Sequence, residues 1–277
     1  MGLKPILGCL DWAWFGLMRR KMQYQNIVKG VFVSRPNRFV AEVIVNNEIV
    51  SCHVKNTGRC RELLVAGAVL YLQDYKDDMR QRKLRYSIIS VEKKVEWREE
   101  WQEKTKNSSG AKPRNLLINM DSQAPNVVVK EAILNGTIKL PGYDKNKLKI
   151  SMERTYGNSR LDIFVEQDEK KGFIEIKGAT LEEDGISRFP DAPTTRGVKH
   201  IEELILAKKE GYDAFILFVI QMEGIKEFRP NDEMHQEFGD ALRKAADKGV
   251  VPLAFDCQVG VNSLHIYRRV KINLHNI

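Results

Sequence analysis

An α/β protein with a small all-β domain in front is what three features of the 277-residue sequence predict. Five short β-patterned runs crowd into the part between residues 24 and 95. A densely charged stretch with a Ser-Ser-Gly tract follows over residues 96–115. From residue 116 to the end, helical and strand patterns alternate, as expected of a mixed central sheet covered by helices.

Residues 1–23, MGLKPILGCLDWAWFGLMRRKMQ, hold an apolar run from Ile6 to Met18 interrupted by Asp11. That run is too short to span a bilayer, and Arg19, Arg20 and Lys21 follow it instead of preceding it as a signal peptide requires. The stretch reads as an extension outside the fold, with Met22 as an alternative start. No other segment approaches a transmembrane span, so a cytoplasmic protein without a membrane partner is expected.

The five runs are NIVKGVFVS, RFVAEVIV, EIVSCHV, AVLYLQDY and LRYSIISV, parted by turn signals at Arg35-Pro36-Asn37, Asn46-Asn47 and Ala66-Gly67. Five strands in so short a span suit a closed oligonucleotide-binding (OB) barrel, completed by a short helix over Arg61 to Leu64. Arg80, Arg82, Lys83 and Arg85 fall on one hairpin and are expected to form a phosphate-facing edge. Residues 96–115 read as a linker or insertion, helical at its start, where Trp97 and Trp101 stand at i, i+4.

The third region, residues 116–277, predicts a helix over Asn126 to Leu134 stopped by Asn135-Gly136, and a strand over Leu148 to Tyr156. A hairpin, RLDIFVEQDEKKGFIEIKG, occupies residues 160–178, and an irregular loop runs on through GATLEEDGISRFPDAPTTRG. A helix from Val198 to Glu210, the buried strand AFILFVI, a helix over MHQEFGDALRKAADKG and the closing strands VPLAFDCQV and LHIYRRVKINL complete the chain.

Composition, at 43% hydrophobic and 30% charged residues, is that of a globular protein. The net charge of +8 is unevenly spread: residues 1–95 carry 17 Lys and Arg against 8 Asp and Glu, and the remainder 28 against 29. Cations concentrated in one third of a chain favour a polyanionic partner, because they release counterions from phosphates. Four cysteines, Cys9, Cys52, Cys60 and Cys257, form no disulfide framework. Cys52, His53 and Cys60 lie close together but lack the paired spacings of a structural zinc site.

The hairpin carries the chemistry. Side chains alternate along a strand, so Asp162 shares a face with Phe164, and Glu175 and Lys177 share one with Phe173. One register sets Asp162 opposite Glu175 and Phe164 opposite Phe173; another sets Asp162 opposite Lys177. Either brings two carboxylates and an ammonium together. Oxygen-only ligation by Asp162 and Glu175 selects Mg²⁺ or Mn²⁺, with Lys177 directed at the same water or phosphate oxygen, which is equipment for metal-assisted phosphodiester hydrolysis. A lone Asp followed by ExK more often marks a solvated strand face with an ion pair worth under about 1 kcal/mol. The order helix, strand, Asp strand, ExK strand, helix, strand favours catalysis, since it is the core of the PD-(D/E)xK nuclease superfamily; Leu161 stands where that motif often has Pro. A third acidic ligand is sought first at Glu131, then at Glu153.

In FPDAPTTRGVKHIEEL (189–204), Thr194 or Thr195 can cap a helix. Arg196, Lys199 and His200 near its first turn oppose the helix dipole unless an anion binds, and a nucleic-acid phosphate is the simple candidate. Pairing of Arg196 with Asp191 is the plainer alternative.

RPNRFVAEV (35–43), CHVKNTGRC (52–60), APNVVVKEAI (124–133), YGNSRLDIF (156–164), FIEIKGATL (173–181) and FPDAPTTRGVKHIEEL together resemble the sugar fermentation stimulation protein A family, in order and from Tyr24 to the C terminus. The resemblance implies an OB barrel joined to a restriction-endonuclease-like domain, nonspecific DNA binding and a regulatory role in sugar metabolism. It implies a site at Asp162, Glu175 and Lys177, with Glu131 in addition. The nucleic-acid contacts expected are Arg35, Arg38, Arg59, Arg82, Lys83, Arg85, Arg196 and Lys199, with RNA as the alternative ligand to DNA. Asn56-Thr57-Gly58-Arg59 suits either a phosphate contact or a purely structural turn.

Overall fold

The first β-patterned run becomes β1 (Ile27–Asn37), and the next four become β2 (Val40–Val45), β3 (Glu48–Val54), β4 (Val69–Asp74) and β5 (Tyr86–Lys93). The structure, a computed structural model, describes residues 22–56, 58–79, 82–94 and 115–275. The expectations for residues 1–21, for Thr57 and Arg80, and for the Trp97/Trp101 helix therefore fall outside the described residues.

Strands order as β3-β2-β1-β4-β5, and a parallel pairing of β3 with β5, Cys52↔Tyr86 and Val54↔Ile88, closes the barrel. Alternation drives this: Ala41, Val43 and Val45 of β2 point inward while Glu42 and Ile44 do not. Asn46 and Asn47 take positive φ (52° and 67°) at the β2–β3 turn, as a tight hairpin with right-handed twist requires. Arg61 to Leu64 form a turn and no helix; the N–H groups of Leu63 and Leu64 both bond the Cys60 carbonyl, which pulls the two leucines into the barrel core. A sixth strand, β6 (Leu116–Asn119), pairs antiparallel with β5. The segment placed by sequence at the head of the second domain thus still belongs to the barrel sheet.

The second domain opens with α1 (Ala124–Asn135), which has Pro125 in its first turn and Gly136 at φ 84° ending it. Next come β7 (Lys149–Tyr156), β8 (Ser159–Gln167) and β9 (Lys170–Ala179). Residues 178–197, expected as an irregular loop, contain the hairpin β10 (Leu181–Glu183) and β11 (Ile186–Phe189), turned on Asp184 and Gly185 at φ 57° and 80°. Asp-Gly between short apolar runs is a hairpin signal that the surrounding acidic residues obscure. The chain continues through α2 (Thr195–Lys209), β12 (Asp213–Ile220), β13 (Glu227–Pro230), α3 (Asp232–Asp247), β14 (Val251–Gly260), β15 (Ser263–Arg269) and β16 (Lys271–Ile272).

The main sheet runs β15-β14-β12-β9-β8-β7, with β12 parallel to both β9 and β14. A second sheet, β10-β11-β13-β16, joins the unanticipated β13 to the new hairpin. Below the main sheet, Ile163, Val165, Ile174 and Ile176 pack with Val128, Val129 and Ile133 of α1; above it, Phe164 and Phe173 share a core with Ile201 and Leu204 of α2. Each such aliphatic side chain contributes about 1.5–3 kcal/mol by leaving water. The hairpin that carries the acidic residues is therefore clamped from both faces. Among the described residues no helix is long and apolar enough to cross a membrane.

Candidate metal and nucleic-acid site

Strands β8 and β9 pair with Phe164 opposite Phe173 and Ile163 opposite Ile174, the register that leads Asp162 toward Glu175. Regular pairing stops one residue short of them. The Asp162 carboxylate takes the ladder's place: Oδ2 accepts the Ile176 N–H at 2.8 Å, and Oδ1 accepts the Asn126 amide from α1 at 2.9 Å. Gly178 lets this corner close, since a Cβ there would lie 2.5 Å from Gln221 Oε1 and 3.0 Å from Pro125.

Glu175 is 2% exposed. Its Oε1 accepts Lys177 Nζ at 2.5 Å and is paired with His200 Nδ1 from α2. Its Oε2 is just as buried and meets no hydrogen-bond partner among the described residues. Burial works against the charged form of Glu175, yet the bonds from His200 and Lys177 and the charge of Lys177 hold its pKa below the ordinary value. Asp162 moves the other way: burial, then the charge of Glu175, raises its pKa against the Ile176, Asn126 and Lys177 contributions.

Asp162, Glu175, Lys177 and His200 thus gather at one corner of the sheet, and Glu131 does not join them. It lies roughly 140° around α1 from Asn126, and its carboxylate accepts the Met22 N–H at 3.2 Å. Glu153 is exposed and pairs with Arg160 at 2.5 Å. Among the described residues no group of three His, Cys, Asp or Glu is arranged so that all three could hold one metal ion. Cys52, Cys60 and Cys257 are buried free thiols, with the first two pushed up to about 12 by burial. The sequence marks His200 only as a cation near a helix start and carries no signal for Asn126; both act across long sequence separations that local pattern does not record.

In α2, Thr194 caps by accepting the Gly197 N–H. Arg196 donates from Nε to His200 Nε2 at 3.3 Å, and Lys199 donates to the Asn158 carbonyl at 3.0 Å. Arg196, though exposed, makes no ion pair with Asp191, whose Oδ2 meets no hydrogen-bond partner among the described residues.

On the barrel, Arg35 is a clasp. Its guanidinium donates to the carbonyls of Arg38, Asn56, Gly58 and Arg59 at 2.6–3.0 Å and shapes the Asn56–Arg59 turn. A cleft of about 440 Å³ opens beside it, lined also by Arg38, Arg59 and Arg61. Arg38 lies 4.6 Å over the half-exposed Phe39 ring, while Arg59 and Arg61 are exposed and have no carboxylate partner among the described residues. Arg85, by contrast, is committed to Asp74 through two 2.7 Å bonds, and Arg82 bonds Ser87 and stacks on Tyr75. Of the expected phosphate-facing hairpin, Arg85 is exposed but paired, and Lys83 is exposed with no ion pair among the described residues.

The loop carrying Arg59 is tied to both ends of the carboxylate site. Lys55 pairs with the buried Asp121 at 2.7 Å, just before α1, whose Asn126 holds Asp162. Gly58 packs against Asp191, where a Cβ would come within 2.3 Å of Oδ2, and that loop leads into α2, whose His200 holds Glu175. Lys93 of β5 bonds Glu182 of β10 at 2.6 Å as a further tether.

Comparison with known proteins follows the same division. The family model of the sugar fermentation stimulation protein RE domain matches residues 123–263, and that of the SfsA N-terminal OB domain matches residues 33–98. A sugar fermentation stimulation protein homolog of Clostridium beijerinckii is 46% identical over 91% of this chain and 100% of its own length. One from Desulfitobacterium hafniense is 44% identical over 91% of this chain and 99% of its own. The solved structure of Pyrococcus furiosus SfsA in complex with Ca²⁺ superposes with a TM-score of 0.75 at 24% identity, covering 92% of this chain and 100% of that one.

Proposed function

The chain belongs to the sugar fermentation stimulation protein family, and from that premise we propose that it binds nucleic acid, DNA foremost, on its barrel and cleaves phosphodiesters with Mg²⁺ or Mn²⁺ held by Asp162 and Glu175. The observation carrying this reading is the asymmetry of Glu175, whose donors crowd Oε1 while the equally buried Oε2 has none among the described residues. A buried acceptor left without a partner costs on the order of 1–3 kcal/mol. A hard divalent cation is the ligand that a carboxylate-only donor set favours. The Ca²⁺ of the pyrococcal protein is of that same oxygen-seeking class.

When bound, such an ion offsets the two carboxylates and makes water more acidic. Lys177, held by Glu175, supplies positive charge where a phosphorane-like transition state gains negative charge. Arg59 and Arg61 bind and orient the backbone through charge, and the ties through Lys55 and Gly58 keep their loop fixed relative to the carboxylates.

A second reading, a non-catalytic DNA-binding regulator on a nuclease-like scaffold, draws on a different observation. Both Asp162 oxygens already accept hydrogen bonds, and no third acid joins the pair among the described residues. Incubating the protein and its Lys177→Ala variant with single- and double-stranded DNA and with RNA, in Mg²⁺ or Mn²⁺, separates the two. Cleavage reduced at least about 100-fold in the variant is expected, as for loss of a transition-state charge contact. Equal cleavage by both removes the catalytic reading, and salt-sensitive binding indifferent to Asp162→Ala supports the regulator.

A further inference from the structure

We infer that His200 is a positioning residue for Glu175, and that Arg196 selects the tautomer in which it acts. The inference rests on the metal-site reading above and adds two residues to it. His200 is 5% exposed and reaches Glu175 across 25 residues of sequence. Its Nε2 accepts the Arg196 Nε–H at 3.3 Å. A neutral imidazole has one donor and one acceptor nitrogen, and arginine can only donate. With Nε2 accepting, the proton resides on Nδ1 and is given to Glu175 Oε1.

The two members of this relay stand at i, i+4 on α2, so one helical turn brings them together. The helix itself is fixed by the Thr194 cap and by Ile201 and Leu204, which are 0% exposed in the core they share with Phe164 and Phe173. The imidazole position is therefore set by packing before any ligand arrives. Together with Lys177, His200 places two donors on one oxygen of Glu175. This locks the carboxylate with Oε2 unmet by any donor among the described residues and available to a cation.

A histidine serving only to neutralise a buried acid would leave the second oxygen to be met by another group of the fold, and among the described residues it is not. Nor is His200 itself a ligand, because both ring nitrogens are engaged. The arrangement is that of an outer residue that orients a metal-binding carboxylate.

The test is calorimetric Mn²⁺ titration of the full chain, wild type beside His200→Ala, His200→Asn and Arg196→Ala, with thermal denaturation in EDTA to verify folding. The Asn side-chain amide can present a donor where Nδ1–H stood. His200→Ala is expected to weaken Mn²⁺ binding about 10–100-fold, His200→Asn to recover affinity to within about threefold of wild type, and Arg196→Ala to fall between. Folded His200→Ala protein that binds Mn²⁺ like wild type, or folded His200→Asn that fails to recover, overturns the inference and leaves the metal site standing. Wild type that binds no Mn²⁺ at millimolar concentration overturns both.

Discussion

Replacing Asp162 by Asn is expected to stabilise the metal-free protein at neutral pH, although it removes a group from the candidate site. In the fold the carboxylate accepts two hydrogen bonds, from Ile176 N and Asn126 Nδ2, at 2.8 and 2.9 Å. Asparagine keeps both if the Asn126 amide turns over, its oxygen accepting from the new amide while the new carbonyl accepts from Ile176 N. What changes is the charge. Burial and the neighbouring Glu175 raise the Asp162 pKa above the ordinary carboxylate value. The native state thus holds the proton more tightly than the unfolded chain. The ionised side chain subtracts from stability above its native pKa and subtracts nothing below the unfolded value of about 3.9. Relieving this cost is expected to yield about 1 kcal/mol at pH 7, within the roughly 0.5–2 kcal/mol of a single stabilising substitution. For a chain of this size that corresponds to a rise of about 2–4 °C in Tm. Calorimetric melting in EDTA at pH 7 and at pH 4 checks it, with the gap narrowing toward the lower pH. Saturating Mn²⁺ is expected to reverse the order, since a ligand at 100 times its Kd stabilises the protein that binds it by about 2.7 kcal/mol and the variant would gain less. A variant less stable than wild type at pH 7, or a gap independent of pH, refutes the reasoning.

Glu175→Gln is expected to act in the opposite direction: its pKa is held low by His200 and Lys177 against burial, so its stabilising charge is present above the ordinary carboxylate pKa and lost as pH falls through the native value. Denaturant melts should show the variant less stable than wild type at pH 7 and the difference shrinking in acid. Lys55→Met should cost about 3–5 kcal/mol, since it strands the buried Asp121 carboxylate, and chemical denaturation measures it. Arg59→Ala with Arg61→Ala should lower DNA affinity and reduce the slope of log K against log salt by about 2, while Arg85→Ala, already paired with Asp74, should leave the slope unchanged in fluorescence-anisotropy titrations.

The barrel strands and the order of elements around the hairpin were legible because each is a local pattern: alternation in VAEVIV, Asn46-Asn47 at a turn, Asn135-Gly136 at a helix end. The register of β8 and β9 was legible as one of two choices, and the structure takes the one matching Phe164 with Phe173. β13 was missed because EFRP, four residues with Arg and Pro, is a strand only by virtue of β11 and β16 on either side. Which charges are free was equally hidden. Arg85 and Arg35 look like phosphate contacts until Asp74 and a ring of carbonyls claim them, and Arg59 and Arg61 look no different in sequence. Glu131 illustrates the same limit from the other side, since its helical position was correct and only the three-dimensional angle to Asn126 sets it apart from the carboxylate pair.

The central claim is that Glu175 Oε2 and Asp162 form a site for a hard divalent cation. Anomalous diffraction from crystals of the wild-type chain grown with millimolar Mn²⁺ tests it most directly. The account predicts a single strong peak within coordination distance of Glu175 Oε2 and of the Asp162 carboxylate, absent from Glu175→Gln crystals. No peak at that corner of the sheet, or one that persists unchanged in Glu175→Gln, would contradict it.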